Sequence, residues 1–270
     1  MWTVSPWLVL AVLGGTLVAW HVGRLVMLDD ETAARWLRAR SFDPNPRQIA
    51  DIRAHLRRMR VSRVIGALLM LGLAALSLEV SGVSIGIVCA PYLMSALVAE
   101  VLAPRPRAPR ERAASLQPRP PGYFAPGAAV VAARVLLLLG VVFSAVGLFA
   151  RPDDRTFSAT HLIGTLAVIA LFERCLRVIS DRGLPQAVAD LQVDTAVRVA
   201  DSRLACAAAL LYGEVGLVLS FSMSGLRSTD VINVLMSLLL AVVEPGALVA
   251  ACVLVTPQRA WRPPQRGAAA

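Results

Sequence analysis

The stretch "RLACAAALLYGEVGLVLSFSM", residues 203–223, decides the fold class of this chain. After Arg203 it holds a single charged side chain, Glu214. A helix of about 20 residues is long enough to cross a hydrocarbon core of about 30 Å. The chain has 270 residues and is 57% hydrophobic, whereas a soluble domain of this length carries more charge and shorter apolar runs. The stretch therefore predicts a membrane-spanning helix.

Six further apolar runs have comparable length, so the sequence predicts an all-α, polytopic integral membrane protein with about seven transmembrane helices. The seven runs are 7–28, 64–80, 83–103, 128–150, 158–179, 203–223 and 229–256. The first run lacks the basic segment and the clear small-residue cleavage site of a secretory signal. We therefore expect it to be a retained span.

Arginine sets the predicted orientation. All 27 basic residues are Arg, and only Arg151, Arg155 and Arg227 lie in the alternate segments that would face outward. Arginine marks the cytoplasmic side, so the other 24 predict an N-terminus outside and a cytoplasmic C-terminus. The absence of Lys suggests a GC-rich genome, and we expect a multi-pass protein of the bacterial cell membrane. Its basic inner face should attract anionic lipid headgroups, and no nucleic-acid motif accompanies it.

Glu214 and Glu244 are the candidate ion or proton site. Counted from Arg203, Glu214 lies about 16 Å into the bilayer, and Glu244 lies about 20 Å from the same side when counted from Pro257. Both carboxylates are then close to the midplane, where a charged carboxylate costs at least ~2.5 kcal/mol. Pro245 disturbs the helix beside Glu244, and irregular backbone beside an acid is how transporter ion sites are commonly built.

Two other interpretations of the buried ionisable residues stay open. A protonated Glu can instead donate an interhelical hydrogen bond and hold helices together. His21, about 10 Å above the cytoplasmic end of the first span, joins the predicted proton site or is hydrogen-bonded to a neighbour. Glu100 and Arg134 both lie toward cytoplasmic ends of their spans, and we expect them to form a structural pair.

The chain resembles an internal duplication. "RMRVSRVIGALLMLGLAAL" (58–76) is similar to "VRVADSRLACAAALLYGEVGL" (197–217), which suggests a 3+1+3 parallel repeat. The alternative is that Ala/Leu-rich helices resemble one another by composition. The predicted organisation is a first triplet (1–103) with an amphipathic cytoplasmic loop (29–63), a Pro/Arg-rich linker (104–127), a linker helix with an outer loop (128–157), a second triplet (158–256) and a tail (257–270).

The helix count is similar to that of the SWEET and PQ-loop carriers, but the motifs of that family are missing. Those carriers have Pro-Gln within their first and fifth spans. Here the first span has no internal Pro, and Pro185-Gln186 lies in the loop after the fifth. The chain is not assigned to that family.

The cytoplasmic loops contain two predicted helices. In 43–63, Asn45 is placed as N-cap, Pro46 as first helical residue and Gln48 as capping-box partner. Its apolar face and its arginines predict an interfacial helix, with lipid headgroups contacted by Arg53, Arg57, Arg58 and Arg60. The segment 184–203 is expected to extend the sixth span as a solvated helix, or to dock a cytosolic partner.

Signals for an enzyme are nearly absent. The sequence has no HExxH, GxSxG, Walker or dinucleotide motif, and it suggests no cofactor and no metal. "DLQVD" (190–194) has the DxxxD spacing of Mg²⁺-dependent membrane transferases, but a single copy is more typical of helix-surface charge. We expect a non-enzymatic transporter or permease-like protein. The alternative is a non-transporting membrane subunit that docks an ATPase or regulator through its basic loops.

Overall fold

The computed structural model describes residues 6–76, 85–102, 112–113, 122–150, 155–181, 184–185, 188–223 and 246–254. These residues form eight helices, which confirms the all-α prediction. They are α1 (Pro6–Val26), α2 (Asp30–Arg38), α3 (Pro46–Leu76), α4 (Ile85–Val101), α5 (Gly127–Ala150), α6 (Arg155–Asp181), α7 (Val188–Met223) and α8 (246–254). The described strands are two residues each, β1 (Arg112–Ala113) and β2 (Leu184–Pro185), and they pair antiparallel.

Among the described residues, α3 and α5 are long and apolar enough to cross a membrane. A third candidate arises if Ala11–Val26 and Asp30–Arg38 are counted together, although the two helices are bent by 96° at the break between them. The apolar part of α4, Val88–Val101, is shorter. Two or three helices in the described part of the chain therefore meet the length and composition requirements of a span.

The α5 helix has the side-chain distribution of a helix in lipid. Its buried face carries mostly small residues, and its exposed face carries large apolar ones. The buried residues are Val130, Ala133, Leu137, Gly140, Ser144 and Gly147, and the exposed ones include Val131, Val135, Leu138, Val142 and Phe149. Small residues inside and large apolar residues outside are typical of helices packed within a bilayer. In water, this exposed stripe would be an aggregation surface.

The α3 helix is continuous from its N-cap into its apolar segment. Asn45 accepts a hydrogen bond from the Gln48 backbone N–H at 2.8 Å, and Pro46 is the first helical residue. The predicted cap is therefore confirmed. The apolar face of the predicted interfacial helix packs on protein, because Ile52 lies in one buried cluster with Leu37 of α2 and Val193 of α7.

The α7 helix is continuous from 188 through the sixth predicted apolar run, as expected. The part before that run is buried rather than solvated, since Arg198 and Asp201 are shielded from solvent. The cluster formed by Ala33, Leu37, Ile52 and Val193 is called the α2–α3–α7 cluster below.

Two glycines allow close approach between helices. A Cβ on Gly66 of α3 would lie 2.6 Å from the carbonyl oxygen of Pro91 in α4. A Cβ on Gly213 of α7 would lie 2.9 Å from the Leu136 Cβ of α5. The backbones of α3 and α4, and of α5 and α7, therefore meet where only glycine fits.

Candidate functional site

Three ionisable side chains meet where α3, α4 and α7 come together. His55 Nε2 lies 3.3 Å from Asp201 Oδ1, and His55 Nδ1 lies 3.8 Å from Glu100 Oε1. All three residues are buried, with 7% of His55, 2% of Glu100 and 3% of Asp201 exposed. One imidazole thus stands between two carboxylates in the interior, and we call these residues the His–Glu–Asp cluster.

The surroundings of the cluster are apolar and tightly packed. Met59, Ala96, Leu97 and Leu204 line the space next to Glu100 and Asp201, together with Cys175 and Ala205, and this space does not admit a water molecule. Buried carboxylates that water cannot solvate require positive charge or hydrogen-bond donors close by. The cluster must therefore be compensated from within the protein or by a bound cation.

Nearby charges influence His55 and Arg40, which both lie before the apolar part of α3. Burial lowers the pKa of His55, but the adjacent Asp201 and Glu100 carboxylates outweigh this effect and raise the pKa above its usual value. Burial lowers the pKa of Arg40 to about 10, and the Asp201 carboxylate opposes that shift. Arg40 thus stays cationic at neutral pH, with its guanidinium 3.6 Å from the centre of the Trp36 ring.

A second polar region lies farther along α7, around Glu214. His161 of α6 is 1% exposed, and a Cβ on Gly216 would lie 3.3 Å from its Nε2 atom. The imidazole therefore packs against the α7 backbone two residues beyond Glu214. Thr165 donates a hydrogen bond to the His161 carbonyl at 2.9 Å, and the buried Tyr212 hydroxyl lies beside Thr165.

Glu214 itself is half-buried on α7, and His21 lies on α1. The His21 ring is buried on α1 and hydrogen-bonds the Tyr92 hydroxyl of α4 at 3.0 Å. Glu244 and the segment 224–245, which makes up most of the predicted seventh span, lie outside the described residues. The pairing of Glu214 with Glu244 thus stays a prediction.

The four predicted lipid-contacting arginines differ in their surroundings. Arg53 forms an exposed ion pair with Asp30 at 3.1 Å, and Arg60 donates to the Arg24 carbonyl. Arg57 is exposed, whereas Arg58 is half-buried with a shielded Nε. Lipid contact by these residues stays a prediction, and Arg53 and Arg57 are the exposed ones among the four.

The expected pair between Glu100 and Arg134 was wrong. Arg134 forms a bidentate pair with Glu173 of α6 at 2.7 and 2.9 Å, and Glu100 faces His55 instead. Sequence reasoning also passed over His55 as a site residue. A signal existed, because Ile52, His55 and Met59 share one face of α3, and a titratable residue on a buried face needs a partner.

The DxxxD segment lies on α7, and Asp194 has its partner on the same helix. Asp194 pairs with Arg198 at 2.7 Å on the same helix, which supports the interpretation as helix charge.

Comparison with known protein families, with curated proteins and with solved structures finds no match to this chain.

Proposed function

We propose that this protein is a multi-pass membrane transporter or permease-like protein with a midplane carboxylate site for a proton or cation. The site comprises Glu214 and Glu244, with His21 on the path, in a seven-span fold with the N-terminus outside and the C-terminus in the cytoplasm. The observation that carries the proposal is the buried imidazole of His161, which packs beside Gly216 close to Glu214.

The polar region around Glu214 supports this function. His161, Thr165 and Tyr212 are all almost fully buried in the helix bundle, at the same level of α7 as Glu214. Polar and ionisable groups that face the interior of a membrane bundle mark substrate or proton pathways more often than packing positions. His161 is thus a buried titratable group on a neighbouring helix, two residues along α7 from Glu214, and we assign it to the proton path.

The position of α8 supports the proposed depth of Glu244. Arg203 donates a hydrogen bond to the Val253 carbonyl at 2.8 Å, which sets these two residues at one level. Glu214 is 11 residues beyond Arg203, about 16 Å along a helix, and Glu244 is nine residues before Val253, about 14 Å if the helix continues. The two carboxylates would then lie within about 3 Å of the same depth.

Flux measurements test the carboxylate site. We expect purified protein in liposomes to dissipate an imposed pH gradient, reported by a trapped pH-sensitive dye. The double change Glu214→Gln and Glu244→Gln should reduce this flux to that of protein-free liposomes, because Gln keeps the shape of Glu but carries no exchangeable acid proton.

Glu31→Gln is the matched control, since Glu31 is an exposed carboxylate on α2 that pairs with Arg38. This control should retain the wild-type flux. Unchanged flux in the folded double variant, or no flux from the wild-type protein, would contradict the proposed transport site.

Epitope tags test the seven-span arrangement. An odd number of spans places the two chain ends on opposite faces, so an N-terminal tag should react in intact cells and a C-terminal tag only after permeabilisation. A third tag within 104–111 should behave like the C-terminal tag. Both chain ends on one face would show that the number of spans is even.

The alternative function is a membrane subunit that docks a cytosolic partner through its basic loops. The α2–α3–α7 cluster favours it, because α2 and α3 form a packed unit that exposes Arg38, Arg47, Arg53 and Arg57. A docking subunit would tolerate both Gln changes and would lose partner capture when these exposed arginines are replaced. The flux experiment therefore separates the two functions.

A further inference from the structure

We propose that His55, Glu100 and Asp201 bind one divalent transition-metal ion where α3, α4 and α7 meet. The three residues come from three helices that are far apart in the sequence. Each supplies a side-chain type that proteins use as a metal ligand. The site does not depend on the proposed transport function.

The geometry is close to that of a metal centre. With one atom from each residue, the three potential ligand atoms lie within 4.8 Å of one another. In a tetrahedral site with bonds of about 2.1 Å, neighbouring ligand atoms are about 3.4 Å apart. The 3.3 Å between His55 Nε2 and Asp201 Oδ1 matches that spacing. Glu100 Oε1 faces the other ring nitrogen, Nδ1, at 3.8 Å. Binding of one ion by all three residues therefore requires the Glu100 carboxylate to move by up to about 1.4 Å toward Asp201 and His55 Nε2.

The chemistry selects the class of ion. Two carboxylates and one neutral imidazole carry a charge of −2, which a divalent cation neutralises. The nitrogen ligand favours Zn²⁺, Mn²⁺, Fe²⁺ or Co²⁺ over Ca²⁺ and Mg²⁺, which prefer oxygen ligands alone. Because the adjacent space does not admit water, the fourth position would be filled by the second oxygen of a carboxylate.

A proton on His55 is the competing occupant of the cluster. An imidazolium would face Asp201 with one N–H and Glu100 with the other, as the two distances allow. A metal ion neutralises both carboxylates, whereas a proton supplies one positive charge, with Arg40 beside Asp201 as a further one. Metal binding to the folded protein decides between the two occupants.

The site is separate from the region around Glu214. Asp201 and Glu214 are 13 residues apart on the same helix, which corresponds to about 20 Å. An ion at Asp201 would hold the inner ends of α3, α4 and α7 together. Loss of metal binding and loss of flux are therefore independent outcomes.

Metal content of the full-length protein tests the proposal. Protein in detergent is stripped with a chelator, loaded separately with Zn²⁺, Mn²⁺ and Co²⁺, and desalted before elemental analysis. We expect about one tightly retained ion per chain for at least one metal. The Co²⁺ form should show visible absorption bands of a site with nitrogen and oxygen ligands and no thiolate charge-transfer band.

The ligand variants His55→Gln, Glu100→Gln and Asp201→Asn should each lose this ion. Glu173→Gln is the matched control, since Glu173 pairs with Arg134 away from the cluster, and it should retain the ion. Metal should also raise the thermal unfolding temperature of the wild type and the control, because an ion that binds the folded state stabilises it.

Wild-type protein that retains no ion would overturn the proposal and leave the cluster as a proton-bridged group. Equal retention by all three folded ligand variants would also overturn it, since the ion would then lie elsewhere. Because the wild type is itself informative, a variant that fails to fold does not remove the test.

Discussion

Arg198→Ala is expected to lower the free energy of unfolding by about 3–5 kcal/mol, the range seen when one partner of a buried ion pair is removed. The Arg198 side chain is fully shielded from solvent. Its guanidinium contacts Asp194 at 2.7 Å and the Ile179 carbonyl at 3.1 Å, and it lies 5.3 Å from the centre of the Phe124 ring. Alanine removes all three contacts and leaves a cavity between α6 and α7.

The measurement is thermal or denaturant unfolding in detergent, with the yield of monodisperse protein as a second readout. Arg38→Ala is the matched control, because Arg38 pairs with Glu31 at a similar 3.1 Å but both side chains are more than half exposed. Exposed ion pairs contribute about 0–1 kcal/mol to stability, so the control should have a free energy of unfolding close to that of the wild type. Equal effects of the two changes would contradict the burial of Arg198.

Gly66→Ala is expected to destabilise the protein by about 1–3 kcal/mol, the usual cost of overpacking a close contact. The new Cβ would lie 2.6 Å from the Pro91 carbonyl oxygen and 2.7 Å from the Ser95 Cβ. These atoms belong to the α4 backbone or are attached directly to it, so α3 and α4 must separate. Ser62, one turn away on α3, donates a hydrogen bond to the Ser95 carbonyl, and that bond would weaken as well.

Gly72→Ala on the same helix is the control, and we expect it to have the opposite effect on stability. No atom lies within 4 Å of a Cβ at Gly72, so the added methyl group meets open space. Alanine has a higher helix propensity than glycine by up to about 1 kcal/mol. The free energy of unfolding should therefore be lower than the wild-type value for Gly66→Ala. For Gly72→Ala it should equal or exceed the wild-type value. The reverse order would contradict the close approach of α3 and α4.

Local features of the fold could be predicted from the sequence. The start of α3 follows from Asn45 and Pro46, because capping depends on residues only three positions apart. The helical nature of the chain follows from the length of its apolar runs, because a helix satisfies its backbone hydrogen bonds within one segment. These inferences needed no knowledge of how helices pack.

Contacts between distant segments could not be predicted in this way. The partner of Glu100 was missed because Arg134 and His55 both occur at plausible depths, and only helix packing decides between them. The apolar face of 43–63 was matched to lipid, since an amphipathic stripe does not specify what covers it. The packing of His161 on α7 was not predicted because it depends on Gly216, which allows an imidazole to lie against the backbone.

The unbroken α3 helix has a mechanical consequence. Gly66 fixes α3 against Pro91 of α4, and the N-terminal part of α3 extends about 30 Å from that point to Pro46. A rigid rod of this length works as a lever, so a tilt of about 5° at the glycine would displace the far end by about 3 Å. Ile52, in this N-terminal part of α3, packs in one buried cluster with Val193 of α7. Any tilt of α3 at Gly66 would therefore be magnified at the N-terminal end of the helix.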